Sequence, residues 1–195
     1  MCLLIVKPEG ESLPDLLDTC EDAHATNPDG FGVAYLTRRH GITILRGLIN
    51  PRKQAEVIRR IGAAPAMLHW RLGTGGGISK VNCHPFRIQD GSALAHNGIL
   101  PIQPTRRKSD TRLLAECAID AQDLREMLAD LTSARNKFAL FDASTQEIEI
   151  HGEEHGTWED GIWYSNTYWR WTNSVCLPYW KANDDNPKEK RWWEK

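Results

Sequence analysis

Cys2 stands one residue from the start of the chain, directly ahead of the apolar run "LLIV". Its small side chain permits enzymatic removal of Met1, which leaves a thiol and a free α-amine on the same Cα. An α-amine titrates near ~8, so at neutral pH it can take the thiol proton directly or through a water. Nucleophile and base then come from one residue. On position alone, a cysteine opening a strand is more often a small buried hydrophobe, so the other parts of a reaction have to come from elsewhere in the chain.

Three stretches offer them. In "HWRLGT", Arg71 follows an apolar strand-like run and Thr74 opens a glycine-rich loop. A guanidinium there suits a planar bidentate grip on a carboxylate, although a surface ion pair would also explain it. In "AHNGIL", the Asn97 side-chain N–H and the Gly98 backbone N–H stand side by side. Two donors aimed at one oxygen, with no Cβ in the way, make an oxyanion hole. The same dipeptide is also the commonest type I′ hairpin turn, which is its simplest structural account. In "SDTRLLAE", Ser109 caps a helix and Asp110 sits in its first turn, where the helix dipole alone would favour a carboxylate and where an ammonium group could also meet it.

These residues need elements to carry them. Residues 2–6 read as a strand covered on both faces. Leu13, Leu16, Leu17, Cys20 and Ala23 follow at the spacing of one helical face, and "NPDG" stops that helix. "FGVAYLTRRHGITILRGLI" reads as a hairpin, and Asn50 caps a helix that starts at Pro51 and ends at Gly62. "AMLHWRL" and "SALAHNGIL" read as strands joined by the loop "GTGGGISKVNCHPF". "DTRLLAECAI" and "AQDLREMLADL" read as helices, with "NKFALFD", "QEIEIHG" and finally "GIWYSN" as strands. Two groups of strands with helices between and after them fit sheets stacked under helical layers, not a parallel βαβ array.

A chain of 195 residues with 41% hydrophobic residues sustains one substantial core and no second large catalytic domain. A formal charge of -2 gives no global attraction to nucleic acid or anionic membrane. No apolar run reaches the length of a membrane span and the first residues lack the basic flank of a secretory signal, so a cytoplasmic protein is expected. The 5 cysteines include no close pair of the zinc-ribbon or CxxC kind and read as free thiols. Trp70 apart, every tryptophan lies at or beyond position 158, and residues 182–195 form a polar, charged tail containing Trp192 and Trp193. That tail is expected to be flexible, with its Trp pair docking on the chain or on a partner.

Taken in order, Met1-Cys2, "NPDGFG" at 27–32, "HWRLGT" at 69–74, "NCHPF" at 82–86, "HNG" at 96–98 and "SDT" at 109–111 resemble the class II glutamine amidotransferases of the N-terminal nucleophile hydrolase superfamily. The resemblance covers most of residues 1 to about 165 and implies an α+β fold: a four-layer αββα sandwich of two antiparallel sheets flanked by helices. It implies a glutaminase domain over residues 1–181. Cys2 would be the nucleophile, Asn97 and Gly98 the oxyanion hole, Arg71 the partner of the glutamine α-carboxylate and Asp110 of its α-ammonium. Thr74 and His84, the latter in the "NCHPF" loop, would shape the substrate pocket. No cofactor and no metal are implied. The expected partners are L-glutamine and a separate ammonia-accepting synthetase or ligase, with neither nucleic acid nor membrane. The chain departs from the family pattern at Leu3, where many members carry Gly, and at Gly75, where some carry His.

Competing accounts exist. A zinc site from His69, Cys83, His84 and His96 lacks the usual ligand spacing. "GTGGGISK" does not match the phosphate-loop pattern. A γ-glutamyl amide hydrolase without ammonia transfer would use the same residues, and a catalytically silent binding protein could retain the same fold.

Overall fold

A computed structural model describes residues 2–73, 77–132 and 135–173. Strand β1 (Leu3–Lys7) is followed by helix α1 (Leu16–Thr26), the hairpin β2 (Phe31–Thr37) and β3 (Gly41–Leu48), helix α2 (Pro51–Ile61) and strand β4 (Ala66–Trp70). Next come β5 (Phe86–Arg87), β6 (Ala93–Asn97), helices α3 (Asp110–Cys117) and α4 (Ala121–Ala129), and strands β7 (Lys137–Phe141), β8 (Ile148–His151), β9 (Thr157–Glu159) and β10 (Ile162–Tyr164). One sheet has the order β3-β2-β4-β1-β10-β9 and the other β5-β6-β7-β8. Neighbours in both pair antiparallel.

Side-chain alternation explains the layering. In β1, Leu3 and Ile5 join α1 and α2 in one core, while Leu4 and Val6 join the inner face of the second sheet. In β6 and β7, Leu94, Phe138 and Leu140 pack under α3 and α4, while Ala93, Ala95, Ala139 and Phe141 face the first sheet. A strand buried on both faces has no polar alternation to show, which is why "LLIV" is continuous. The result is helices, sheet, sheet, helices: the αββα sandwich that the resemblance implied.

Local chemistry sets the ends of the elements. Asn50 Oδ1 accepts the Arg52 and Lys53 N–H groups, and Pro51 costs nothing at the first helical position. Ser109 Oγ accepts the Arg112 N–H at the start of α3. α1 differs from expectation. It begins at Leu16, so Leu13 is buried ahead of the helix, and Leu17 lies beside the apolar stripe and is 38% exposed. The segment read as one loop before β6 contains a 3-10 turn (Lys80–Asn82) and the two-residue edge strand β5. The expected tail at 182–195, with Trp192 and Trp193, lies outside the described residues. Among those described, no helix is long and apolar enough to cross a membrane.

Leu4 is fully buried between the sheets. Leu4→Ala is expected to cost about 3 kcal/mol, through lost burial and an unfilled cavity, as read by urea denaturation.

Candidate active site

β1 lies between β4 and β10, and the register Leu3↔Trp70 sets Cys2 beside the chain leaving β4. Cys2 Sγ accepts the Leu72 N–H at 3.3 Å and lies 3.4 Å from the Leu72 carbonyl, the acceptor for its own proton. On the other side, Asn166 Nδ2 donates to the Cys2 carbonyl at 2.8 Å. Cys2 shares the parity of Leu4 and Val6, so its side chain belongs to the layer between the sheets. Burial pushes the thiol above its ordinary range, while the Leu72 N–H and the Arg71 charge pull it back.

Arg71 is 3% exposed and donates from Nη2 to the Gly77 carbonyl at 3.1 Å. Its backbone is clamped to the "NPDGFG" segment: Arg71 N–H to Gly30 O at 2.8 Å and Asp29 N–H to Arg71 O at 3.0 Å. Asp29 Oδ2 accepts the Gly73 N–H at 2.7 Å. The same segment seats the "NCHPF" loop. A Cβ on Gly30 would lie 2.5 Å from Cys83 Sγ, and one on Gly32 2.0 Å from the His84 carbonyl. Two motifs that read as separate turns are one packed unit, and glycine is required where they touch.

Asn97 ends β6 and Gly98 leads into the segment before α3, so the Asn-Gly pair is not a hairpin turn. Asn97 Nδ2 donates to Ser165 Oγ at 2.7 Å, and Ser165 Oγ also accepts the Leu4 N–H at 2.9 Å. Beyond Gly98, Asn136 Oδ1 accepts the Ile99 N–H at 2.9 Å and lies 3.0 Å from His96 Nε2. A Cβ at residue 98 would fall 2.0 Å from that oxygen, so no other residue fits without displacing Asn136. Asp110 Oδ2 accepts the Leu100 N–H at 3.0 Å and Oδ1 the Thr111 N–H at 2.7 Å, which ties the start of α3 to the chain leaving β6.

Three histidines pack below. His69 Nε2 donates to the His96 carbonyl at 3.0 Å and so joins the two sheets. The His69 and His84 rings are 4.1 Å apart. His96 Nε2 donates to Asn136, which leaves Nδ1 to accept the Thr111 hydroxyl at 2.9 Å. Burial holds all three in the neutral form: His69 is pushed down to about 3, His96 down to about 4 and His84 well below its ordinary value. Both ring nitrogens of His84 are buried with no hydrogen-bond partner among the described residues.

A cavity of about 100 Å³ draws these groups together, with Cys2, Arg71, His84, Gly98 and Asp110 all in its wall. Asn97 is not among the wall residues, and its amide is held by Ser165. Thr74 lies outside the described residues. Among the described residues, no three His, Cys, Asp or Glu side chains converge as metal ligands. Sequence reasoning assigned no role to Asp29, Asn136, Ser165 or Asn166. Asp29 was inside a recognised motif, and the other three stand at the ends of strands read correctly, but which partners they meet depends on sheet pairing.

The chain matches no protein-family model, and no curated protein matches it. Among solved structures it is similar to glutamine phosphoribosylpyrophosphate amidotransferase from B. subtilis, complexed with ADP and GMP. The identity is 18% and the TM-score 0.48, over 84% of this chain and 41% of that one. A structure described as the allosteric regulatory enzyme of purine biosynthesis is similar at 16% identity and a TM-score of 0.46, with the same coverage. The chain therefore spans about two fifths of the length of these two solved chains.

The histidine layer makes stability depend on pH. Each histidine binds a proton when unfolded, below about 6.5, and resists doing so when folded. Stability is therefore unaffected above that value and falls as pH drops below it, with a slope approaching about 1.4 kcal/mol per pH unit for each buried histidine. Urea midpoints measured between pH 7 and pH 5 should show this decline, and His96→Gln should make it shallower. The raised Cys2 thiol gives a separate expectation. With Met1 in place, iodoacetamide labelling of Cys2, followed by peptide mass spectrometry, should reach half its maximal rate above the ~8.5 of a free cysteine. Arg71→Ala should move that midpoint further up.

Proposed function

We propose that this protein is a class II glutaminase and amidotransferase that uses Cys2, freed by removal of Met1, to hydrolyse the side-chain amide of L-glutamine. The observation that carries this reading is the single cavity wall shared by Cys2, Arg71, Gly98 and Asp110. Glutamine has a zwitterionic head, a two-carbon stem and a terminal amide. A guanidinium and a carboxylate suit the head, and a thiol with backbone donors suits the amide.

In this reading the Cys2 α-amine takes the thiol proton as sulfur attacks the amide carbon. The carbonyl oxygen becomes an oxyanion held by the Gly98 N–H and by Asn97, whose amide has a second hydrogen beyond the one given to Ser165. The ammonium then returns its proton to the departing nitrogen, the C–N bond breaks, and ammonia and a γ-glutamyl thioester remain. Water, deprotonated by the same amine, cleaves the thioester to glutamate and restores the thiol. Arg71 and Asp110 hold the substrate head throughout, while Thr74 and His84 shape the pocket. Ammonia is mostly protonated and non-nucleophilic at neutral pH, so a separate synthetase or ligase is the proposed recipient, and a cytoplasmic location fits that role.

The test is release of glutamate and ammonia from L-glutamine by Met1-processed protein. Cys2→Ala should abolish turnover. Asp110→Asn should raise KM at least about tenfold with a smaller change in kcat, as loss of a contact to the substrate head requires. Processed protein that releases no Cys2-dependent ammonia would overturn the proposal.

A further inference from the structure

Outside the cavity, a second groove of about 390 Å³ runs between the segment at 77–81 and the segment at 106–112. Arg106, Arg107, Lys108 and Arg112 line it together with Ser79, Ile78 and Val81, and no carboxylate does. Lys108 and Arg112 share one anion, Glu116, at 2.5 and 2.9 Å. Arg106 and Arg107 are exposed and form no ion pair with a described residue. Four cations facing one groove with a single shared counter-ion leave an excess of positive charge, which is costly unless an anion or solvent compensates it. Guanidinium pairs and a hydroxyl are the donors that phosphoryl oxygens select, and a groove, unlike a flat patch, brings them to one ligand.

The groove is also built into the site. The Gly77 carbonyl, which accepts from Arg71, also accepts from Asn82 Nδ2 at 3.2 Å. Asn82 Nδ2 further reaches the Arg107 carbonyl at 3.2 Å, and Asn82 Oδ1 accepts the Ser109 N–H at 3.2 Å. One buried amide thus ties both walls of the groove to each other and to the guanidinium of the cavity.

We propose that this groove binds a phosphate-bearing small molecule, with Arg106 and Arg107 gripping the phosphoryl group and Ile78 and Val81 offering an apolar wall to whatever the phosphate carries. The ligand would hold Gly77 in place, and with it the acceptor on which Arg71 rests. The site and its binding test do not depend on glutaminase chemistry, which Cys2→Ala tests separately.

The experiment titrates the full chain with inorganic pyrophosphate, and separately with phenyl phosphate, at constant ionic strength by calorimetry. Arg106→Gln/Arg107→Gln is compared with Arg38→Gln/Arg39→Gln, an arginine pair in the β2–β3 turn whose replacement changes the net charge equally. The groove variant should weaken binding at least about tenfold and the control less than about twofold. Tighter binding of phenyl phosphate would identify a phosphate ester as the ligand, and tighter binding of pyrophosphate a free polyanion. Hydrogen exchange on the unmodified chain should show ligand protection at 77–82 and 105–109. Equal binding by both variants, or no protection of these segments, would overturn the proposal.

Discussion

The pairing of β1 with β4 is the constraint on which the rest depends. Its register puts Cys2 against the peptide of Leu72, and because β1 is interior to its sheet, that position is anchored on both sides. A shift of one residue would turn the thiol toward the helices and the apolar side chains of β1 toward the wrong cores. The requirement that Leu3 and Ile5 pack under α1 and α2 while Leu4 and Val6 pack between the sheets fixes the register and therefore the cysteine.

The second sheet brings the opposite half of the site by the same means. β6 and β7 pair over their whole length, and at their ends the Asn136 side chain packs against Gly98 and accepts the Ile99 N–H. Asn136 serves His96 and Ile99 with one oxygen, so the shape of the Gly98 corner follows from a residue distant in the chain. The His69 bond to the His96 carbonyl crosses the layer and connects the two halves. Neutral imidazoles suit a space that would penalise a charge: His69 and His96 are hydrogen-bonded there, whereas His84 is packed against the His69 ring with no hydrogen-bond partner among the described residues.

Electrostatics divides the surface around the cavity. The three histidines below it are held neutral, its wall carries Arg71 and Asp110, and the neighbouring groove is lined by cations. The Gly77 carbonyl stands between the cavity and the groove, accepting from Arg71 on one side and from Asn82 on the other.

Much of this was legible in the sequence. The apolar run of β1, the hairpin, the capped helices and the final strands follow from periodicity and local turn chemistry, which act over a few residues. Of the residues that the motif order named, Cys2, Arg71, His84, Gly98 and Asp110 share one cavity wall, Asn97 does not line it, and Thr74 lies outside the described residues. What the sequence did not contain was contact. Asn-Gly at 97–98 has the local signature of a hairpin, yet it ends a strand because β6 pairs with β7 and not with the segment that follows. Leu17 is apolar like the helical stripe but lies outside it, because it stands about 100° round the helix from Leu16 and the buried line runs through Thr19, Cys20 and Ala23. Asp29, Asn136, Ser165 and Asn166 are polar residues at loops and strand ends, where sequence alone cannot name a partner. Their partners lie far along the chain: strand pairing within a sheet brings Asp29 to Gly73, Asn166 to Cys2 and Asn136 to Ile99, and the stacking of the two sheets, set by the burial of both faces of β1, β6 and β7, brings Ser165 to Asn97.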